Sequence, residues 1–338
     1  MRQAESDGMK SAYPSLLLVM LALVSARSAA AVPNATASVR VAPPAYVRLA
    51  DWAKVNGFRF HWLKPDETIE LTNHASRLLL TVDSRETQIN GVQVWLLFPV
   101  TAHNGVAWLA QLDGEATLHP LLVPPRGRPH RIRSVCLDPG HGGKDPGNQV
   151  GSYQEKHYTL LLAQEVRGQL AAAGFKVALT RNTDEFIALP TRPELAKRRG
   201  ADVFVSLHFN AADSGRDTVK GAEVYCLTPA GAASTNARGE GAGAGWFAGN
   251  RQNDQNLFLA YQMQKALTRE LAVEDRGVRR ARFAVLRDAV MPAVLIEAGF
   301  MSHPVEGRKI FSAAYRQKMA QAIVAGLLAY ARAMEQGT

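Results

Sequence analysis

After Arg133 the chain repeats one pattern: a short, almost wholly apolar run, a turn, and a longer segment with apolar residues at helical spacing. The runs Ser134–Leu137, Lys176–Leu179, Val203–His208, Ala222–Leu227, Phe283–Leu286 and Ala293–Glu297 have strand length. Glu155–Ala173, Pro193–Arg199, Leu257–Leu271 and Tyr315–Met334 read as helices, the last with Met319, Ile323, Leu327 and Tyr330 on one face. Strands this apolar must be covered on both faces. The pattern therefore predicts an α/β fold, an open, mostly parallel or mixed sheet flanked by helices.

The region before it reads differently. Thr68–Thr72, Arg77–Val82 and Val92–Phe98 are short apolar runs between turn residues, and Asn90-Gly91 suits a tight hairpin that needs positive φ. Leu49–Val55 adds one short helix. Residues 45–123 are thus expected to form a small strand-rich α+β domain. Pro-containing linkers flank it at residues 31–44 and 124–133, and residues 134–335 form the second domain. His61, His74, His103 and His119 lack ligand spacing. Within the second domain residues 230–253, rich in Gly, Ala, Asn and Ser, have no sustained period and are expected to be a mobile insertion.

Leu16–Val24 is an apolar run of nine followed by Ser28, Ala29 and Ala30, so residues 1–30 read as a secretory signal peptide cleaved near Ala30 or Ala31. Lys10 would head a cleaner leader if translation began at Met9. Nine residues are too few to span a bilayer, and no retained membrane anchor is expected. Export to the periplasm, or else to the wall or medium, follows. The net charge of +9 points to an anionic partner surface. Cys136 and Cys226 each sit inside an apolar run and read as buried thiols rather than a disulfide or metal pair.

Chemistry concentrates at strand ends. Ser134–Leu137 runs into Asp138-Pro139-Gly140-His141-Gly142-Gly143, which places His141 on a glycine-rich turn at the carboxyl end of a strand, where ligands of open α/β sheets bind. No Gly-Lys-Ser/Thr and no Gly-x-Gly-x-x-Gly follow, so a phosphate loop is poorly supported, and no nucleic-acid partner is expected. Glu155 opens the next helix, and His208 ends the strand Val203–His208. Two imidazoles and a carboxylate form a catalytic zinc set that leaves a fourth position for water. Glu297 ends another apolar strand, and burial there without a partner would cost several kcal/mol or force protonation. It is the candidate catalytic carboxylate; the bland alternative pairs it with Arg279 or Arg280. No Gly-x-Ser-x-Gly elbow or His-Glu-x-x-His helix competes.

Leu137-Asp138-Pro139-Gly140-His141-Gly142-Gly143, Glu155-Lys156, Ser206-Leu207-His208-Phe209-Asn210-Ala211 and Ile296-Glu297-Ala298-Gly299-Phe300, in this order, resemble the catalytic domain of the zinc-dependent N-acetylmuramoyl-L-alanine amidases. The resemblance implies that His141, Glu155 and His208 bind one Zn²⁺ and that Glu297 is catalytic. It also implies that the substrate is peptidoglycan, cleaved between the lactyl group of N-acetylmuramic acid and the L-alanine of the stem peptide. Asp138 and Asn210 read as supporting residues. Some family members carry an occluding helix that an activator protein removes, and residues 230–253 lack that pattern. A flexible lid is expected instead, with an activator left as a candidate partner and a monomer as the default state. Tyr46–Leu122 loosely resembles the copper amine oxidase N-terminal-like domain, without any copper site, which suggests wall docking. A non-catalytic wall-binding protein and a zinc amidase acting on small muropeptides are the competing readings.

Overall fold

The protein, described by a computed structural model over residues 44–125, 131–235 and 245–336, is built on one long sheet. The leader at residues 1–30 lies outside the described residues, as do most of the linker at 31–44, the middle of the basic linker and the tip of the 230–253 segment.

The first part of the chain forms β1 (Tyr46–Arg48), α1 (Leu49–Val55), β2 (Arg59–Lys64), β3 (Thr68–Thr72), β4 (Arg77–Thr81), β5 (Glu86–Ile89) and β6 (Val92–Trp95). After these come β7 (Thr101–His103), β8 (Val106–Ala110) and two short helices, α2 (Gln111–Asp113) and α3 (His119–Leu122). β2 to β6 make an antiparallel meander whose buried residues alternate, Ile69 and Leu71, Leu78 and Leu80, as one covered face requires. Asn90 (φ 50°) and Gly91 (φ 81°) form the two-residue turn between β5 and β6.

The second part runs β9 (Ser134–Pro139), a small hairpin of β10 (Gln149–Val150) and β11 (Tyr153–Gln154), α4 (Glu155–Ala172), β12 (Lys176–Leu179), α5 (Thr191–Arg198) and β13 (Val203–Asn210). Then follow β14 (Ala222–Leu227), α6 (Asn253–Leu271), β15 (Asp275–Ala281), α7 (Ala284–Arg287), β16 (Ala293–Phe300), α8 (Pro304–Phe311) and α9 (Ala313–Gln336). β12, β9, β13 and β16 lie parallel, β14 runs antiparallel to β16, and β15 is parallel to β14. The sheet is therefore mixed. Along β13, Val205 and Leu207 join a core with α4, α6 and α9, whereas Phe204 joins one with α5 and α7. That is why these strands are apolar on both faces.

One expectation is corrected, and β15 and α8 come in addition to the elements expected. Phe283–Leu286 is not a strand; only Phe283 is extended, as the residue before α7. The strand of that region is β15, whose arginines hide it from a search for apolar runs although Gly277, Val278 and Ala281 are buried. Its charges have specific partners in the fold. α8, also unpredicted, is capped by the His303 ring, which accepts from the backbone N–H groups of Val305 and Glu306.

β15 also pairs with β6 through Val278 and Val94, so the first meander and the second region share one eleven-stranded sheet. The junction is reinforced by Gln93 N–H donating to Asp275 (2.9 Å), Trp95 Nε1 donating to the Arg276 carbonyl (3.0 Å) and the Tyr261 hydroxyl donating to the Ile89 carbonyl (3.0 Å). The two ends of the 230–253 segment are tied down as well. Arg85 donates to the carbonyls of Ala233 and Ser234, and Asn250 donates to the Thr228 carbonyl. Both cysteines are free and buried, and burial pushes the Cys136 thiol up to about 12. No described helix is long and apolar enough to cross a membrane.

Candidate metal centre

β9 ends at the turn that carries His141, whose φ of +61° is a left-handed conformation rare outside glycine. The turn is held from beneath by two buried arginines. Arg181 donates to the carbonyls of Pro139 and Gly140, and Arg192 donates to those of Pro139 and His141. Arg192 is itself paired with Asp138 at 2.8 Å, and Asp138 further accepts from Thr180 and Ser206. Asp138 is thus a fully buried keystone of the turn, and Asn210 donates its side-chain amide to Glu223. Neither arginine stands out in the sequence, because each reaches carbonyls more than forty residues away along the chain.

The glycines of this turn make room. A Cβ on Gly140 would lie 2.3 Å from His208 Cε1, and one on Gly147 would lie 2.6 Å from His141 Cδ2 and 2.7 Å from Glu155 Oε2. With those spaces open, His141, Glu155 and His208 converge, and one ligand atom from each lies within 4.8 Å of the others. Glu155 Oε2 is 3.1 Å from His141 Nε2, and Glu155 Oε1 is 2.9 Å from His208 Nδ1. Tetrahedral ligands at zinc-like bond lengths stand about 3.3 Å apart, and one donor from each of the three residues lies within 4.8 Å of the others, close enough for a single ion to draw them together. His141 is oriented by Asp145, 2.8 Å from its Nδ1, which leaves Nε2 for the centre. Glu155, only 1% exposed, also accepts from the backbone N–H groups of Asn148 and Phe209.

Electrostatics agree with a site built for positive charge. Burial works against ionising the Glu155 carboxyl, yet hydrogen bonds from His141 and His208 hold it well below the usual carboxylate range. Burial likewise opposes protonation of His141, but Glu155 and Asp145 outweigh it and raise its pKa. A cation placed among these groups would replace the protons.

Glu297 lies beside this cluster, and β-pairing sets it opposite His208 on β13 and Glu223 on β14. Its Oε2 is buried with no hydrogen-bond partner among the described residues. Burial, and then the negative charges of Glu155 and Glu223, raise its pKa well above the ordinary value. Among the described residues Glu297 has no arginine partner. Arg279 bridges to Glu223 at 3.0 Å, and Arg280 donates to the Ala116 carbonyl. All four sequence-singled residues therefore meet at one sheet edge. Asp145, Arg181, Arg192 and Glu223 were missed, and of these only Asp145, four residues after His141 on the same glycine-rich turn, had a sequence signal.

An α/β protein with a His, Glu and His set at the carboxyl edge of its sheet and a buried carboxylate beside it has the donor set that a catalytic metal site would need. Comparison narrows this. The N-acetylmuramoyl-L-alanine amidase family profile (Amidase_3) matches residues 135–329, and the chain belongs to that family. It is 38% identical over 231 residues to the N-acetylmuramoyl-L-alanine amidase AmiC of Neisseria meningitidis, covering 61% of this chain and 55% of the relative. To AmiA of Escherichia coli it is 34% identical over 222 residues, covering 59% of this chain and 76% of the relative. The chain thus spans about half the length of the Neisseria relative. Among solved structures, the AmiC2 amidase of Nostoc punctiforme aligns with a TM-score of 0.50 at 32% identity, covering 62% of this chain and 99% of that one. An amidase of Clostridium difficile aligns with the same score and identity over 60% of this chain and 97% of that one.

Proposed function

We propose that the protein is an exported, zinc-dependent amidase that cleaves peptidoglycan between the lactyl group of N-acetylmuramic acid and the L-alanine of the stem peptide. One observation carries this reading: His141, Glu155 and His208 converge at one sheet edge with Glu297 paired beside His208. His141 Nε2, a Glu155 oxygen and His208 would hold the ion. When bound, Zn²⁺ supplies Lewis acidity, which acidifies water and polarises the scissile carbonyl.

The chain's own residues do the rest. Asp145 fixes the His141 ring so that Nε2 faces the site, and backbone N–H groups hold Glu155 still. The Glu297 carboxyl, with its raised affinity for a proton, takes one from the attacking water and delivers it to the leaving amine of L-alanine. A buried carboxyl whose pKa is raised can serve as both acceptor and donor of that proton. Residues 45–123 would help dock the enzyme on the wall, and the basic surface suits stem carboxylates.

Mass spectrometry of purified peptidoglycan treated with the pure chain tests the reading. Stem peptides with a free L-alanine amino terminus should be released, a chelator should stop the release, and zinc should restore it. Intact sacculi, or release indifferent to chelation, would refute it.

A further inference from the structure

Glu223 continues the row of paired residues that begins with His208 and Glu297, one strand further along the sheet. It is buried, and its carboxylate is saturated. Oε1 accepts from Asn210 (3.0 Å) and the Tyr225 hydroxyl (2.9 Å), and Oε2 meets Arg276 Nε (3.1 Å) and Arg279 Nε (3.0 Å). Both guanidiniums are also stacked. Arg276 lies 4.9 Å from the centroid of Phe300, three residues past Glu297, and Arg279 lies 4.2 Å from that of Trp95. Each arginine is thus fixed through its Nε and its flat face. Among the described residues neither has a hydrogen-bond acceptor for its Nη atoms, and neither is sealed, the side chains being 24% and 13% exposed.

The backbone that presents Arg276 is specially made. The register slips between Ala222 and Val224, so Arg276 and Gly277 together face Glu223 as a bulge. Gly277 has φ of +90°, and a Cβ there would come within 3.0 Å of Gln93 and Trp95. β6 therefore presses directly on the bulge, and Trp95 holds the Arg276 carbonyl.

Two guanidiniums that share one saturated carboxylate leave a surplus positive charge with open donors. Ordinary surface arginines are not arranged in this way, and a planar fork held rigid is suited to a carboxylate. Neighbouring strands lie about 4.8 Å apart, so Arg276 stands about 10 Å from the Glu297 column, the span of about three residues of extended peptide.

We propose that Arg276 and Arg279 form a receptor for a free carboxylate of the stem peptide beyond the scissile amide, assembled by Glu223 and buttressed by Trp95 of the amino-terminal meander. The inference rests on the amidase reading and adds to it the substrate feature that the site selects.

The zinc-loaded full chain is assayed on purified sacculi before and after their stem carboxylates are converted to primary amides. The parent should cleave unmodified wall about 10- to 100-fold more efficiently, the range expected for charge-assisted hydrogen bonds. In Arg276→Gln and Arg279→Gln that ratio should fall to within about threefold of one, whereas Arg276→Lys, which keeps charge without the fork, should be intermediate. Arg198→Gln, an exposed arginine on α5, should keep the parental ratio and so controls for net charge. A parental ratio near one, or variants that slow cleavage of both walls by the same factor, overturns the receptor and leaves the amidase standing. Failure of the parent to cleave unmodified sacculi overturns the amidase itself.

Discussion

Gly140→Ala isolates the packing on which the candidate metal centre depends. The backbone at this position is not left-handed, so alanine is not excluded by φ, and the effect is one of contact alone. The new methyl would lie 2.3, 2.5 and 2.7 Å from three atoms of the His208 ring, where ordinary contacts begin at 3.4 Å. The ring must retreat by about 1 Å. It cannot do so freely, because Nδ1 is 2.9 Å from Glu155 and that carboxylate is anchored to two backbone N–H groups. Metal bonds tolerate about 0.2 Å, and a 1 Å misplacement costs on the order of a hundredfold in rate. The variant should therefore lose at least about a hundredfold in wall cleavage and bind zinc at least about tenfold more weakly. Zinc retained through a graded chelator series, measured by mass spectrometry, gives the affinity, and circular dichroism verifies the fold. A variant that keeps one zinc at parental chelator strength and cleaves within twofold of the parent would refute the packing argument.

Replacing Asp145 by Ala should free the His141 ring and weaken zinc binding by about 10- to 100-fold, read in the same chelator series, with little change in melting temperature. Glu297→Gln should abolish cleavage while zinc stays bound. It should also stabilise the chelated protein. A carboxyl whose folded pKa is raised gives stability that is present below its unfolded pKa and is lost as pH rises through the folded one, so the parent should weaken from about pH 5 upward while the variant does not. Thermal melts of the two chelated proteins should diverge with rising pH, and parallel curves would show that Glu297 is compensated in the fold.

Much of the site was legible because strand chemistry is local. A run such as Val203 to Leu207 can only be a buried strand, so the polar residue that ends it, His208, must emerge at the sheet edge, and the same holds for Glu297 after Ala293 to Ile296. His141 was marked by glycines that no ordinary turn needs in such number. Phe283 to Leu286 was misread because a four-residue apolar run does not distinguish strand from helix, and packing against Tyr225 and the α5 side of the sheet settled it.

What the sequence by itself determined was the α/β alternation, the two-faced burial of the central strands and the ends at which His141, Glu155, His208 and Glu297 emerge. Each follows from periodicity within a few consecutive residues. Only the tertiary structure decided that β15 is a strand, that the amino-terminal meander extends the same sheet, and that Glu223 gathers Arg276 and Arg279 beside Glu297. Those partners are 53 and 56 residues apart along the chain, and a charged residue carries no mark of the distant one that neutralises it until the strands are in register.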